Sequence, residues 1–183
     1  MREITTQAEF DTAYAAGERE FDISGMRGKL SIAEGAPTLW VKGNSRVRVD
    51  VLGDSAPELT TCDESRVDLW VYGSSQPELA TYDKSFAKVW VYDSSQPGMS
   101  AWDDSHLEVR MYESSRPSVM AYYSKRSVVY VMGDNQPRVN GDLTIIQKDY
   151  LVSETRGHNA NGLFDLLREN SRIAKALRAY TGA

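Results

Sequence analysis

The chain has 183 residues and a formal net charge of -5. That length fits one domain with terminal additions, and no segment is basic enough to capture nucleic acid or an anionic membrane by charge. Cys62 is the only cysteine, which excludes an intramolecular disulfide framework and a thiolate metal cluster.

Near the start, Thr6-Gln7-Ala8-Glu9 has the pattern of a helix capping box, and Phe10, Ala13 and Tyr14 lie on one face of the helix that would follow. Gly17 is its expected stop. Residues 1–36 are expected to form this capping helix and an entry strand. Met1 to Thr6 carries no apolar segment, and no apolar run reaches membrane-spanning length, so no membrane partner and a cytoplasmic location are expected.

From residue 37 two periods run together. All six prolines (Pro37, Pro57, Pro77, Pro97, Pro117 and Pro137) are spaced by twenty residues. Serine recurs at every tenth position from Ser45 to Ser115. Ser65 to Ser74 reads SRVDLWVYGS, and the next unit, Ser75 to Lys84, reads SQPELATYDK. Units with and without proline alternate, so the structural repeat is two tens. Fixed short periods indicate stacked units that share one continuous core.

Within a unit the apolar residues alternate, as in a strand. Val67, Leu69 and Val71 are expected inward, and Asp68, Trp70 and Tyr72 outward. Glycine (Gly43, Gly53, Gly73, Gly133) or aspartate (Asp63, Asp83, Asp93, Asp103) follows each run and begins a turn. The serine is expected to close that turn on nearby backbone. Proline suits the start of a strand, where no ladder donor is needed.

The predicted fold is therefore all-β: a two-faced β-solenoid of 20-residue coils, about five of them over residues 37–142, with α-helical caps at both termini. Beyond Pro137 the repeat decays. Residues 143–183 are expected to form a strand and an amphipathic helix marked by Leu163, Leu166, Leu167, Ile173, Leu177 and Tyr180.

The unit Ser-x-x-x-Val-x-Val-Tyr-[Gly/Asp] resembles the decapeptide repeats of β-solenoid proteins from actinobacterial phages and bacteria. The resemblance covers residues 37–136. It implies a β-solenoid, and a host-cytoplasmic setting if the chain is phage-encoded, but no activity. Alternating prolines and large aromatics depart from that pattern.

Few groups suggest catalysis or metal binding. His106 and His158 share no triad spacing with Ser, Cys or Asp, and no enzyme is expected. Arg48, Asp68, Lys88 and Glu108 alternate in sign up one outward column, which predicts cross-strand ion pairs. Asp63, Asp83 and Asp103 would stack at one turn, yet the Gly-Gly-x-Gly-x-Asp turn of calcium-binding solenoids is absent. No cofactor and no metal are expected.

The aromatic columns are the candidate binding site. One reads Asp50, Trp70, Trp90, Arg110, Tyr130; the next reads Leu52, Tyr72, Tyr92, Tyr112, Met132. The binding residues expected are Trp70, Trp90, Arg110, Tyr130, Tyr72, Tyr92 and Tyr112, since stacked rings exceed the apolar patch a monomer ordinarily exposes. The proline face reads Trp40, Thr60, Ala80, Ser100 and Met120, with Tyr82, Trp102 and Tyr122 beyond. The expected role is a non-catalytic binding or assembly module, meeting a second copy as a homodimer or a host protein, with no direct nucleic acid. The alternatives are an acidic mimic of DNA that inhibits a DNA-binding enzyme, and a carbohydrate- or cell-surface-binding module.

Overall fold

A computed structural model describes residues 1–148 except 125, 133 and 134. The expected C-terminal helix, and His158, lie outside the described residues. Two parallel sheets make up the fold. The first carries strands β1 (Arg2–Glu3), β2 (Glu20–Ser24), β4 (Thr38–Lys42), β6 (Glu58–Thr61), β8 (Glu78–Thr81), β10 (Gly98–Trp102), β12 (Ser118–Tyr122) and β14 (Arg138–Gly141) in that spatial order. The second carries β3 (Arg27–Ile32), β5 (Arg46–Val51), β7 (Arg66–Val71), β9 (Phe86–Val91), β11 (His106–Met111), β13 (Ser127–Met132) and β15 (Leu143–Lys148), again in chain order. The chain alternates between the sheets, which is the path of a β-solenoid.

The stack is longer than the proline register indicates. The 7-stranded sheet marks seven coils, not five, because β2 with β3 and β14 with β15 each add one. Glu20 registers with Thr38 and Arg27 with Arg46. From β4 onward partners are twenty residues apart, as in Leu39↔Leu59 and Val67↔Ala87.

The core lies between the sheets. Leu39, Val41, Val67, Leu69, Val71, Val89, Leu107 and Val109 are all fully buried. Burying each such side chain contributes about 1.5–3 kcal/mol relative to exposure, and the ladder register places each on the same side as its neighbours above and below. The prolines sit one residue ahead of the first-sheet strands. Their carbonyls still accept from the next coil, as in Glu78 N to Pro57 O at 3.0 Å, while their missing N–H leaves no donor to satisfy.

The serines are buried and serve two different purposes. Ser55, Ser75 and Ser115 each donate to the carbonyl three residues back, closing the turn after the second sheet at 2.7 Å. At the other turn Ser65, Ser85 and Ser105 reach the preceding coil, donating to the carbonyls of Val41, Thr61 and Thr81 at 3.1–3.3 Å. The division is not absolute: Ser45 donates both to Ile23 O in the preceding coil and to Lys42 O in its own turn, and Ser55 also reaches Ile32 O at 3.4 Å.

The helix α1 spans Gln7–Ala15 and has the capping box expected of Thr6 and Glu9. Phe10 and Ala13 are buried, and Gly17 takes φ 95 beyond the end. Its first residue meets the outer edge of β3: the Gln7 carboxamide accepts from Ser31 N at 2.6 Å and donates to Ser31 O at 3.3 Å. A side-chain amide thus stands where the next strand's peptide group would be. β1 pairs in parallel with β2 at the corresponding end of the first sheet.

Candidate functional site

The second sheet brings the predicted aromatic residues into register. Asp50, Trp70, Trp90 and Arg110 occupy successive rungs, as do Arg110 and Tyr130. The Trp70 and Trp90 rings stack with centroids 4.6 Å apart, and Tyr72, Tyr92 and Tyr112 continue a second ladder at 5.1 and 4.8 Å. Those spacings match the ~4.8 Å between strands, so identical residues in register stack without leaving their rotamers.

This face is not the bare apolar surface that its composition suggests. Tyr92 and Tyr112 are 5% and 2% exposed, and Trp70, Trp90, Arg110, Tyr72 and Tyr130 are half-buried. The Arg48 guanidinium lies 4.3 Å from the Trp70 ring centroid, Lys88 Nζ 5.2 Å from that of Trp90, and Arg110 5.5 Å from that of Tyr130. Such contacts contribute roughly 0.5–1 kcal/mol at exposed sites.

The alternating charged column behaves only partly as expected. Lys88 pairs with Glu108 at 3.4 Å, but Arg48 turns along its own strand to Asp50 at 2.7 Å, where Lys29 also binds at 2.6 Å. Asp50 is nearly buried, and two cations hold it there. Burial pushes the Asp68 carboxyl up, with Lys88 and Arg48 opposing that shift.

The first sheet carries the more exposed ladder. Tyr82, Trp102 and Tyr122 stack at 6.4 and 4.6 Å beside Met120. Tyr82 is 37% and Met120 39% exposed, and Tyr123, at the next turn, is 80% exposed. Between this ladder and the strand starts runs a flat strip of Thr60, Ala80 and Ser100. Along the strand starts Glu58 registers with Glu78. Burial, and then Glu58, push the Glu78 carboxyl up. The twenty-residue register contains these rings, but the small residues Thr60, Ala80 and Ser100 beside them make this face look the milder of the two in the sequence.

At the turns, carboxylates replace glycine for a physical reason. Asp63 and Asp93 have φ 60 and 56, and their carboxylates accept from the turn N–H one coil earlier, at Gly43 (2.8 Å) and Gly73 (2.9 Å). Asp83 serves Asp63 likewise at 3.1 Å. Cys62, Asp63 and Asp83 come within 4.8 Å of one another. Both carboxylates are occupied by backbone donors, and burial followed by the Asp63 charge pushes the Cys62 thiol up, away from thiolate.

A groove of about 1120 Å³ runs along the corner between the first-sheet turns and the second-sheet strand starts. Arg27, Arg46 and Arg66 register on consecutive rungs there, followed by Phe86 and His106. The last two rings stack at 5.0 Å with 7° between planes. Arg126 lines the far end. Burial pushes the His106 imidazole down, against the raising effect of Glu108.

No family model matches the chain, and neither does any curated protein or solved structure.

Proposed function

We propose that this chain is a non-catalytic assembly module whose first-sheet face, built on Tyr82, Trp102 and Tyr122, binds a second copy of itself. The observation that carries this reading is the ring ladder of exposed Tyr82 and half-buried Trp102 and Tyr122 beside exposed Met120. It shifts the expected interface from the Trp70/Trp90 face to the opposite sheet, since Arg48 and Lys88 already flank those indoles.

Self-complementarity supports the second copy as occupant. A two-fold axis parallel to the strands and passing through β10 would reverse the order of the coils in the partner. Small Ala80 would then face large Met120, acidic Glu58 would face Arg138, and Trp102 would face its own symmetry mate. Flat sheets pack about 10 Å apart, and the small residues Thr60, Ala80 and Ser100 permit that approach. With the axis on β10 the copies overlap from β6 to β14, and five rungs by one short strand give roughly 400 Å² per partner, about half the ~800 Å² of a standard interface. A reversible, concentration-dependent dimer is therefore the expected form.

Light scattering on a sizing column tests it. Wild type should show a mass that rises toward the dimer with concentration, and Tyr82→Ser/Trp102→Ser should remain a folded monomer. A wild-type monomer at every concentration would rule the reading out. A dimer disrupted only by Trp70→Ser/Trp90→Ser would return the interface to the other sheet.

A further inference from the structure

The corner groove is independent of either sheet face. Three guanidinium groups on neighbouring rungs, Arg27, Arg46 and Arg66, are exposed, and none makes a side-chain hydrogen bond or ion pair among the described residues. Like charges directly opposite in a sheet destabilise it by some tenths of a kcal/mol per pair. Elsewhere on this protein cations and anions are interleaved: Lys29 and Arg48 on Asp50, Lys88 and Arg110 on Glu108. Folding stability gives no reason for the arginine column.

We infer that this groove binds a linear anionic glycan, a uronic acid polymer, through the column Arg27, Arg46 and Arg66 with Arg126 at its far end. One guanidinium per rung offers a bidentate fork for one carboxylate per sugar. The groove is also lined by Glu64, Asp103, Asp104 and Asn44. Those carboxylates and the amide accept from sugar hydroxyls, a role they have no use for against phosphate. A single-stranded nucleic acid fits less well for a second reason. Binding without sequence preference relies on a series of open ring faces for the bases, and here Phe86 and His106 are stacked on each other, which leaves Tyr123 as the open ring among the groove's described residues. From Arg27 to Arg126 is about five rungs, roughly 24 Å, so only an extended chain engages the whole column.

Summing charge along the sequence hides this site. Arg27 lies within residues 1–36 and Arg46, Arg66 and Arg126 within residues 37–136, both acidic overall, and only the coil brings them together.

The test uses the full chain and isothermal titration with an oligogalacturonate of about five sugars, long enough to span the rungs. Binding that weakens with salt, and that falls about tenfold or more in Arg46→Gln/Arg66→Gln, is the expected result. The fully methyl-esterified oligomer should not bind, and Arg116→Gln, exposed and outside the groove, should bind like wild type. Melting curves of the double variant should match or exceed wild type, since a repulsion has been removed. Absence of binding, binding unchanged in the double variant, or stronger binding of an oligothymidylate of equal charge would each overturn the proposal.

Discussion

A side chain at positive φ is strained by roughly 1 kcal/mol or more unless it is glycine, yet Asp63, Asp83, Asp93, Asp103 and Glu113 all adopt it. Asp93 shows the compensation. Its carboxylate accepts from Gly73 N at 2.9 Å, and its own N–H donates to the Glu113 carboxylate at 3.1 Å. Asp93→Ala removes the acceptor and keeps the strain, so it should cost about 2 kcal/mol. Asp93→Gly relieves the strain and should cost less, and Asp93→Asn, which keeps an acceptor, least of all. Urea midpoints of the three variants give the order; an alanine variant as stable as the asparagine one would refute it. His106 offers a second check. Its folded pKa lies below the ordinary 6.5 because burial disfavours the imidazolium. Its contribution to stability is therefore present above that value and is lost as pH falls through the folded pKa. His106→Phe preserves the stack on Phe86 and cannot titrate. Relative to wild type it should gain stability between about pH 8 and about pH 5.5, read from melting temperatures. Asp68 and Glu78, whose raised carboxyl values act in the opposite sense, are unchanged in both proteins and drop out of the comparison.

Among the described elements, the helix α1 meets the open edge of β3. Through Gln7 it satisfies both outward groups of Ser31, and a bare edge is where foreign strands pair. Gln7→Ala should cost about 1–2 kcal/mol and should also produce larger, concentration-dependent species in light scattering. Gln7→Glu keeps the acceptor for Ser31 N but loses the donor to Ser31 O, and should fall between. This helix was legible from its Thr6/Glu9 box and from Phe10 and Ala13, but the role of Gln7 was not, because only the folded register reveals which peptide it faces. The strands from β4 to β13 were legible for a simple reason: proline, serine and the turn carboxylates recur where the geometry repeats. Of β2 and β3 only one entry strand was legible, because Arg19 and Met26, just ahead of them, replace the proline and serine marks, and their partners stand eighteen and nineteen residues on, at Thr38 and Arg46. The aromatic columns were legible as columns. Their coverage was not, since it depends on where Arg48 and Lys88 lie, and a long flexible side chain leaves no periodic trace.

At the scale of the whole molecule, strand order follows chain order in both sheets, so each coil touches only the coils before and after it. Stability in such a stack is a sum of coil and neighbour terms, which makes the coil a removable unit. Deleting residues 78–97 joins Pro77 to Gly98, the residue that registers with Glu78. Every ladder then closes on an equivalent partner. Leu59 would meet Met99, Val67 would meet Leu107, and Thr61 would take Ser105 in place of Ser85, the same bond that Thr81 makes now at 3.1 Å. The shortened chain should fold, with a urea slope lower by about one-seventh because less surface is exposed on unfolding. Deleting only residues 78–87 joins Pro77 to Lys88 and feeds a second-sheet segment into the first sheet, leaving its proline and serine marks at the wrong corners. That protein should not melt cooperatively. Circular dichroism on the two deletions separates the cases: if the ten-residue deletion folded as well as the twenty-residue one, the two sheets would be interchangeable, and the proline register would not define the coil.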